Sequence, residues 1–166
     1  QVEAAAAIAL AARKRLTGIM EILYVLPDYF TDRPKPCMNG WGQKYLTVNP
    51  SGFVLPCPTA GEIPGLAFET VRERSLAWIW RESESFNRFR GTEWMPDPCR
   101  SCPRKELDFG GCRCQAALLT GDPSNTDPAC EFSPYHRLVR EAVEQGANHA
   151  GIEDLVFREN PCKPRR

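Results

Sequence analysis

The hydrophobic pattern of the chain opens with a helix and a short apolar segment. Residues 2–16 are rich in alanine, leucine and arginine, which are strong helix formers, and Gly18 ends this pattern. Residues 19–25 form a mainly apolar segment, which predicts a buried strand. A helix followed by a buried strand is half of an α/β repeat. Because Gln1 already lies within the helical pattern, we expect the chain to be part of a longer protein.

Beyond the first 35 residues the composition changes to proline, glycine, cysteine and aromatic residues. Residues 44–48 and 53–55 flank an Asn-Pro-Ser-Gly sequence at 49–52. Pro50 presets a turn dihedral, and Gly52 can adopt the positive φ that closes a hairpin. We therefore predict a β-hairpin at this point.

Three helical regions are predicted in the rest of the chain. Ser75 caps the first, which continues through a further turn to Gly91. A short helix is predicted over residues 115–119, and Ser133 and the following proline open a third that ends at Gly146. The last twenty residues are interpreted as a tail. The apolar residues of the first and third regions are Leu76, Ile79, Trp80, Phe86, Phe89, Leu138, Val139, Ala142 and Val143. The aromatic ones among them are assigned to the core.

Residues 91–131 need a stabilising ligand. This stretch has only six large apolar side chains, so hydrophobic burial alone is too small to order its backbone. Bonds from thiolates to a structural metal centre are of the size required. We therefore expect a metal centre here that stabilises the fold.

Composition and charge exclude several classes of partner. Lys plus Arg number 21 and Asp plus Glu number 21, so no broad positive field attracts nucleic acid or an anionic membrane. The apolar residues 4–12 are too few to span a bilayer, and their basic residues follow them, unlike a signal peptide. We therefore expect a cytoplasmic protein, with no nucleic acid and no membrane as partner. In a reducing compartment its eight cysteines are better interpreted as metal ligands than as disulfides.

Seven of these cysteines lie between Cys37 and Cys130, and an aspartate completes a set of eight ligands. Asp108 stands five residues after the Cys99-x2-Cys102 pair, where another thiolate is expected. Seven thiolates and one carboxylate make two sites of four. In the alternative, Asp108 is an ordinary loop residue and Cys162 is the eighth ligand.

The spacing favours iron-sulfur clusters over zinc. A Cys-x2-Cys pair is common to both, but the second pair here is Cys112-x-Cys114, and His136 and His149 have no zinc-finger spacing. A zinc-stabilised interaction domain without catalysis remains the alternative. Basic residues interleave with the ligands and would offset cluster charge, although each one taken singly is more typical of solvated surface: Arg100, Arg104, Lys105 and Arg113.

The cysteine pattern resembles a known family. Cys37-x14-Gly52-x4-Cys57, then Cys99-x2-Cys102-x5-Asp108-x3-Cys112, then Cys130, is similar to the SPASM domain, the auxiliary-cluster module of radical S-adenosylmethionine enzymes. The resemblance covers residues 36–132. Within it, the sequences at 38–42 (MNGWG), 90–96 (RGTEWMP) and 110–116 (GGCRCQA) resemble the PqqE family of peptide cyclases.

The resemblance implies a ligand set for each of two auxiliary clusters. The first would be held by Cys37, Cys57, Cys112 and Cys114, and the second by Cys99, Cys102, Asp108 and Cys130. Both would be 4Fe-4S clusters, or the first a 2Fe-2S cluster. The implied fold is α+β, a small irregular SPASM domain with a hairpin and short helices around two sites. Residues 1–35 would be the last helix and strand of a partial (β/α) barrel, and residues 133–166 a C-terminal helix and tail.

The PqqE resemblance also implies an activity. That family joins a glutamate to a tyrosine of the precursor peptide PqqA through a carbon-carbon bond in pyrroloquinoline quinone biosynthesis. It uses S-adenosylmethionine and a third 4Fe-4S cluster on a Cys-x3-Cys-x2-Cys motif that this chain lacks. We therefore expect these residues to serve electron transfer and substrate positioning and to be inactive alone. The implied partners are PqqA, the peptide chaperone PqqD, and a flavodoxin-like or ferredoxin-like reductant.

Overall fold

The computed structural model of the chain describes residues 2–22 and 24–148. Its regular elements are six helices and one two-stranded sheet. In chain order they are α1 Val2–Arg15, β1 Thr47–Val48, β2 Val54–Leu55, α2 Leu76–Glu82, α3 Glu84–Asn87, α4 Lys105–Asp108, α5 Arg113–Thr120 and α6 His136–Asn148. Short 3-10 turns occur at Asp28–Phe30, Cys37–Asn39 and Ala60–Glu62. No helix in the described residues is long and apolar enough to cross a membrane.

The N-terminal stretch forms the predicted helix but not the predicted strand. None of the side chains of α1 is buried. The described residues of 19–25 form turn and coil, and Ile19 and Val25 are 78% and 69% exposed. The prediction of a buried strand is therefore wrong for these residues. A strand must pair its backbone with a neighbour, and the described residues of this segment have no such partner within residues 2–22 and 24–148. Instead, Arg13 Nε donates to the carbonyl of Ile22 at 2.7 Å.

The predicted hairpin is confirmed, with shorter strands. β1 and β2 are antiparallel, with Thr47 opposite Leu55. The side chain of Asn49 closes the turn by accepting from the backbone N–H groups of Ser51 and Phe53, each at 3.0 Å. Gly52 has the expected positive φ of 90°. The buried strand β2 leads directly to Cys57, which places that thiol at the edge of the core.

The aromatic residues after the hairpin form the core, as predicted. Ser75 caps α2 by accepting from the N–H of Trp78 at 3.2 Å. Phe86 and Phe89 are buried. Phe89 packs edge-on against Trp41, with ring centroids 5.4 Å apart, and against Trp94 at 5.0 Å. This aromatic group and the hairpin form the wall against which the cysteines lie.

The helices near the C-terminal end differ in detail from the prediction. α5 is present and α6 begins at His136, but α6 continues past Gly146 to Asn148, because glycine weakens a helix without ending it. The single turn α4 was not predicted. His149 and Cys162 lie outside the described residues, so the alternative that Cys162 is the eighth ligand stays a prediction.

Candidate metal centres

The first predicted ligand set comes from three separate parts of the chain. Cys37 begins a 3-10 turn, and Cys57 follows β2 by two residues. Cys112 is the N-cap of α5 and Cys114 lies in its first turn. The Sγ of Cys112 accepts from the N–H of Gln115 at 3.4 Å, so this thiol does the capping itself.

These four thiols meet in the larger core cluster. The Sγ atoms of Cys57 and Cys114 are 3.6 Å apart, and Cys37 interacts with both Cys57 and Cys112. Cys112 and Cys114 interact in turn, which closes the group. The hydroxyl of Thr59 donates to the Sγ of Cys114 at 3.2 Å. No disulfide links any of the seven cysteines in the described residues.

Hydrogen bonds among the four thiols lower the pKa of two of them and raise the pKa of the other two. The hydrogen bond with Cys114 lowers the pKa of Cys57 to about 2 and that of Cys112 to about 3. The hydrogen bond with Cys112 raises the pKa of both Cys37 and Cys114, because each of these keeps the shared proton. Four thiolates this close together repel one another unless a cationic centre lies among them. The donor set therefore fits a thiolate-bound metal centre.

The second predicted ligand set lines one small cavity. Its wall consists of Cys99, Cys102, Asp108 and Cys130, together with Pro34, Lys105, Gly110 and Thr126. Asp108 is the last residue of α4 and is only 7% exposed. Its Oδ1 accepts from the N–H of Gly110 at 3.1 Å, and its Oδ2 lies 3.7 Å from Arg104 Nε. The turn α4 and the left-handed Phe109 that follows it, with φ 52°, bring this carboxylate inward.

Hydrogen-bond donors lie beside two of the three sulfur atoms of the second set. Arg33 Nη1 lies 3.8 Å from the Sγ of Cys130, and the N–H of Arg104 lies 3.4 Å from the Sγ of Cys102. Burial raises the pKa of Cys99, whose thiol donates to Thr126 Oγ1 at 3.4 Å. Donors directed at ligand sulfurs are a common feature of iron-sulfur sites.

A closed zinc site is not apparent in the described part of the chain. No three or more His, Cys, Asp or Glu side chains there are arranged to hold a single metal ion. The distance between the Sγ atoms of Cys57 and Cys114 does not by itself distinguish a zinc site from an iron-sulfur site. Two thiolates on one tetrahedral zinc lie roughly 3.8 Å apart, given Zn–S bonds of about 2.3 Å. His136 contacts the carbonyl of Pro128 through Nδ1 at 2.9 Å.

Taken singly, Arg113 was considered more typical of solvated surface than of a residue that offsets cluster charge, and for this residue the interpretation as solvated surface is wrong. It is 1% exposed. Its guanidinium donates to the carbonyls of Gly110, Pro123 and Asn125, the last two at 2.8 and 2.9 Å, and lies over the ring of Trp94 at 4.8 Å. Arg100 and Arg104 are exposed, as expected of solvated charges. Its position in the sequence could have indicated this burial, because Arg113 stands between two candidate ligands in the first turn of α5.

Asp127 was not identified from the sequence. It is fully buried and accepts from the N–H of Cys112 at 2.6 Å, the N–H of Ala129 at 2.9 Å and the side-chain amide of Gln115 at 2.7 Å. Burial raises the pKa of this carboxyl, and the three hydrogen bonds oppose that shift. The backbone carbonyl of Asp127 also accepts from the N–H of Cys130 at 2.9 Å. One residue thus holds the backbone of a ligand from each set.

Comparison with known proteins shows which proteins the chain resembles. Residues 37–103 match the SPASM family, described as an iron-sulfur cluster-binding domain. The PqqA peptide cyclase of Gluconobacter oxydans (strain 621H) is 59% identical over 144 residues, 87% of this chain and 39% of that protein. The PqqA peptide cyclase of Granulibacter bethesdensis is 52% identical over 158 residues, 95% of this chain and 42% of that protein.

A third relative, the PqqA peptide cyclase of Bradyrhizobium diazoefficiens, is 56% identical over 82% of this chain and 36% of its own length. The chain therefore spans about two fifths of the curated relatives that it matches. The SPASM match includes Cys37, Cys57, Cys99 and Cys102, while the identity to the cyclases extends over most of the chain. The chain is thus similar over most of its length to the PqqA peptide cyclases, and its residues 37–103 match the SPASM iron-sulfur cluster-binding domain.

Proposed function

We propose that the chain binds two auxiliary iron-sulfur clusters. Cys37, Cys57, Cys112 and Cys114 would hold the first, and Cys99, Cys102, Asp108 and Cys130 the second. One observation carries the proposal: the eight residues separate in space into the same two groups, four thiols in mutual contact and four side chains around one cavity. We propose 4Fe-4S clusters at both sites, with 2Fe-2S as the alternative at the first.

A cluster held at either site would take up and release single electrons with little movement of the surrounding atoms. The surrounding residues would support this electron transfer because they exclude water and donate hydrogen bonds to the ligand sulfur atoms. Cys57, Cys114 and Cys130 are buried, and Thr59 and Arg33 direct donors at the sulfurs of Cys114 and Cys130. Asp108 differs from its neighbours because a carboxylate is a harder and less covalent donor to iron than a thiolate. It would therefore tune the potential of the second cluster.

We further propose that the chain acts within a radical S-adenosylmethionine peptide cyclase. The relatives are named PqqA peptide cyclases, so the substrate would be the peptide PqqA, joined between a glutamate and a tyrosine. S-adenosylmethionine, a third 4Fe-4S cluster, the chaperone PqqD and a flavodoxin-like or ferredoxin-like reductant would belong to the complete enzyme. These 166 residues would contribute electron transfer and substrate positioning. The free cysteines of the described residues suit a cytoplasmic location.

The proposed architecture assigns residues 36–132 to the cluster-binding domain. Residues 1–35 would be the end of a partial barrel domain, and residues 133–166 a C-terminal helix and tail. The exposed apolar residues of α1, Ile8 and Leu10 at 71% and 69%, support this assignment, because large apolar side chains of a helix are usually buried against a neighbouring element.

Metal and sulfide analysis tests the proposal. Anaerobically purified protein should be brown and contain iron and acid-labile sulfide, whereas a colourless protein with stoichiometric zinc would contradict it. Cys57→Ser and Cys102→Ser each remove one ligand from a different set, so each should lose about half of the iron. Cys162→Ala is the matched control and should keep all of it. Loss of all iron from either single variant would contradict two separate sites.

A further inference from the structure

Arg113 occupies an unusual position between the two ligand sets. It follows Cys112 and precedes Cys114 in the first turn of α5. Its guanidinium also donates to the carbonyl of Gly110, a residue that lines the cavity of the second set. Arg113 is therefore linked to the first set by its place in the sequence and to the second set by a hydrogen bond.

The charge of Arg113 is buried without a contacting carboxylate. Its hydrogen bonds go to backbone carbonyls, which are neutral, and among the described residues no carboxylate lies within 4.0 Å of it as an ion pair. Asp127 is the nearest acidic influence, but its two oxygens are occupied by the N–H groups of Cys112 and Ala129 and by Gln115. A buried guanidinium is costly unless negative charge lies nearby.

The ligand thiols provide that negative charge from both sides. Arg113 is 1% exposed, and its guanidinium lies 4.8 Å from the centre of the Trp94 ring, which packs against the core cluster that holds the first set. Its hydrogen bond to the carbonyl of Gly110 places the same charge beside the cavity of the second set. Arg113 thus interacts electrostatically with members of both sets, in surroundings where water screens little.

We propose that Arg113 is a tuning residue shared by the two sites, whose fixed positive charge raises the reduction potentials of both clusters. The proposal rests on the cluster binding proposed above. Reduction adds one electron from an external reductant to a cluster, with no bond made or broken and no proton required by this step. The added negative charge is stabilised by a buried cation close to it. Because the cation is common to both sites, the two potentials move together when it is lost.

The test compares two substitutions at Arg113 with the same substitution at an exposed arginine. Arg113→Gln removes the charge, Arg113→Lys keeps it, and Arg100→Gln removes a solvent-exposed charge next to Cys99. The protein is loaded with clusters anaerobically, iron and sulfide are measured, and each midpoint potential is determined by EPR-monitored titration with dithionite. We expect both midpoints of Arg113→Gln to move to more negative values. Arg113→Lys and Arg100→Gln should stay close to the unaltered protein.

Each remaining outcome decides the proposal. Full iron with unchanged potentials in Arg113→Gln overturns it, as does a shift of only one cluster or an equal shift in Arg113→Lys. Loss of iron from Arg113→Gln alone, with Arg113→Lys loaded at unaltered potentials, supports a requirement for the charge. Loss of iron from both variants shows a structural role and overturns the proposal. Absence of iron and sulfide from the unaltered protein defeats cluster binding itself, which is a separate failure.

Discussion

Asp108 and Asp127 are both buried carboxylates, yet their oxygens face different partners. Those of Asp127 accept from the N–H groups of Cys112 and Ala129 and from the amide of Gln115. Those of Asp108 accept one N–H, from Gly110, and lie at the wall of the cavity with the second set of thiols. Asp127 is therefore a structural acceptor, whereas Asp108, whose Oδ2 lies 3.7 Å from Arg104 Nε, keeps lone pairs that suit the proposed ligand role.

Substitution of Asp108 separates ligation from an ordinary loop role. Asp108→Ala should lose the iron of the second site, whereas Asp108→Cys should keep it and shift the reduction potential, because thiolate is the softer and more covalent donor. Iron analysis and a redox titration measure the two effects. Cys162→Ala serves as control; iron loss there with full iron in Asp108→Ala would reverse the assignment. An unchanged potential in Asp108→Cys would remove the tuning argument.

At the scale of elements, the start of α5 connects the two sites. Gly110 lines the second cavity, Gly111 follows with φ 79°, and Cys112 then caps the helix. A methyl group at Gly111 would clash with Asp127 Oδ2 and lie 2.6 Å from Asp127 Cβ and 2.7 Å from Pro34 Cβ. The close approach of these three residues sets where α5 begins, and hence where Cys112 and Cys114 lie.

Gly111→Ala should therefore disturb both sites. A left-handed backbone costs an alanine about 1–2 kcal/mol, and its methyl group would also clash with Asp127. The free energy of unfolding and the total iron content should therefore both fall. Gly121→Ala is the matched control, because Gly121 has φ 82° and nothing within 4 Å of the added methyl group. Gly121→Ala should lower the free energy of unfolding by the backbone cost alone and leave the iron content unchanged. Equal losses in the two variants would argue against the packing role of Gly111.

Elements with local signals were predictable from the sequence, and those that depend on distant contacts were not. The hairpin turn contains its own side-chain acceptor in Asn49, and α2 its own cap in Ser75. The strand expected at 19–25 depended on a partner outside the local sequence, which the described chain does not supply. The eight candidate ligands could be identified by residue type and spacing, but their division into two sets came from a resemblance. The burial of Arg113 follows from carbonyls ten and twelve residues away.

At the scale of the whole molecule, one of the two apolar clusters lies apart from the candidate ligands. Val54, Ile79 and Phe86 form a compact cluster from the hairpin and α2 to α3 that contains no cysteine. The other cluster includes Cys57 and Cys114. Residues 99–130 carry most of the ligands and few large apolar side chains. Stability should therefore be uneven along the chain.

Removal of iron should reveal this unevenness. Anaerobic chelation should speed amide hydrogen exchange strongly over residues 99–130, because metal bonds there replace hydrophobic burial. The amides of residues 76–87, within α2 and α3, should change much less, since their protection comes from Ile79 and Phe86. Hydrogen exchange with mass spectrometry measures both regions in one sample. A uniform increase along the chain would show instead that the fold is a single cooperative unit dependent on its metal.

Arg33 has a wider consequence. Its guanidinium contacts Cys130 at 3.8 Å, forms an ion pair with Glu131 at 2.6 Å and lies over the ring of Phe132 at 4.0 Å. The carbonyl of the neighbouring Asp32 accepts from the N–H of Glu131 at 3.0 Å. The segment that contains Asp32 and Arg33 is thus held beside Cys130, a proposed ligand of the second site. A displacement of that segment would be transmitted to Cys130, so if Cys130 holds the second proposed cluster, motion of the N-terminal region would alter the electronic properties of that cluster.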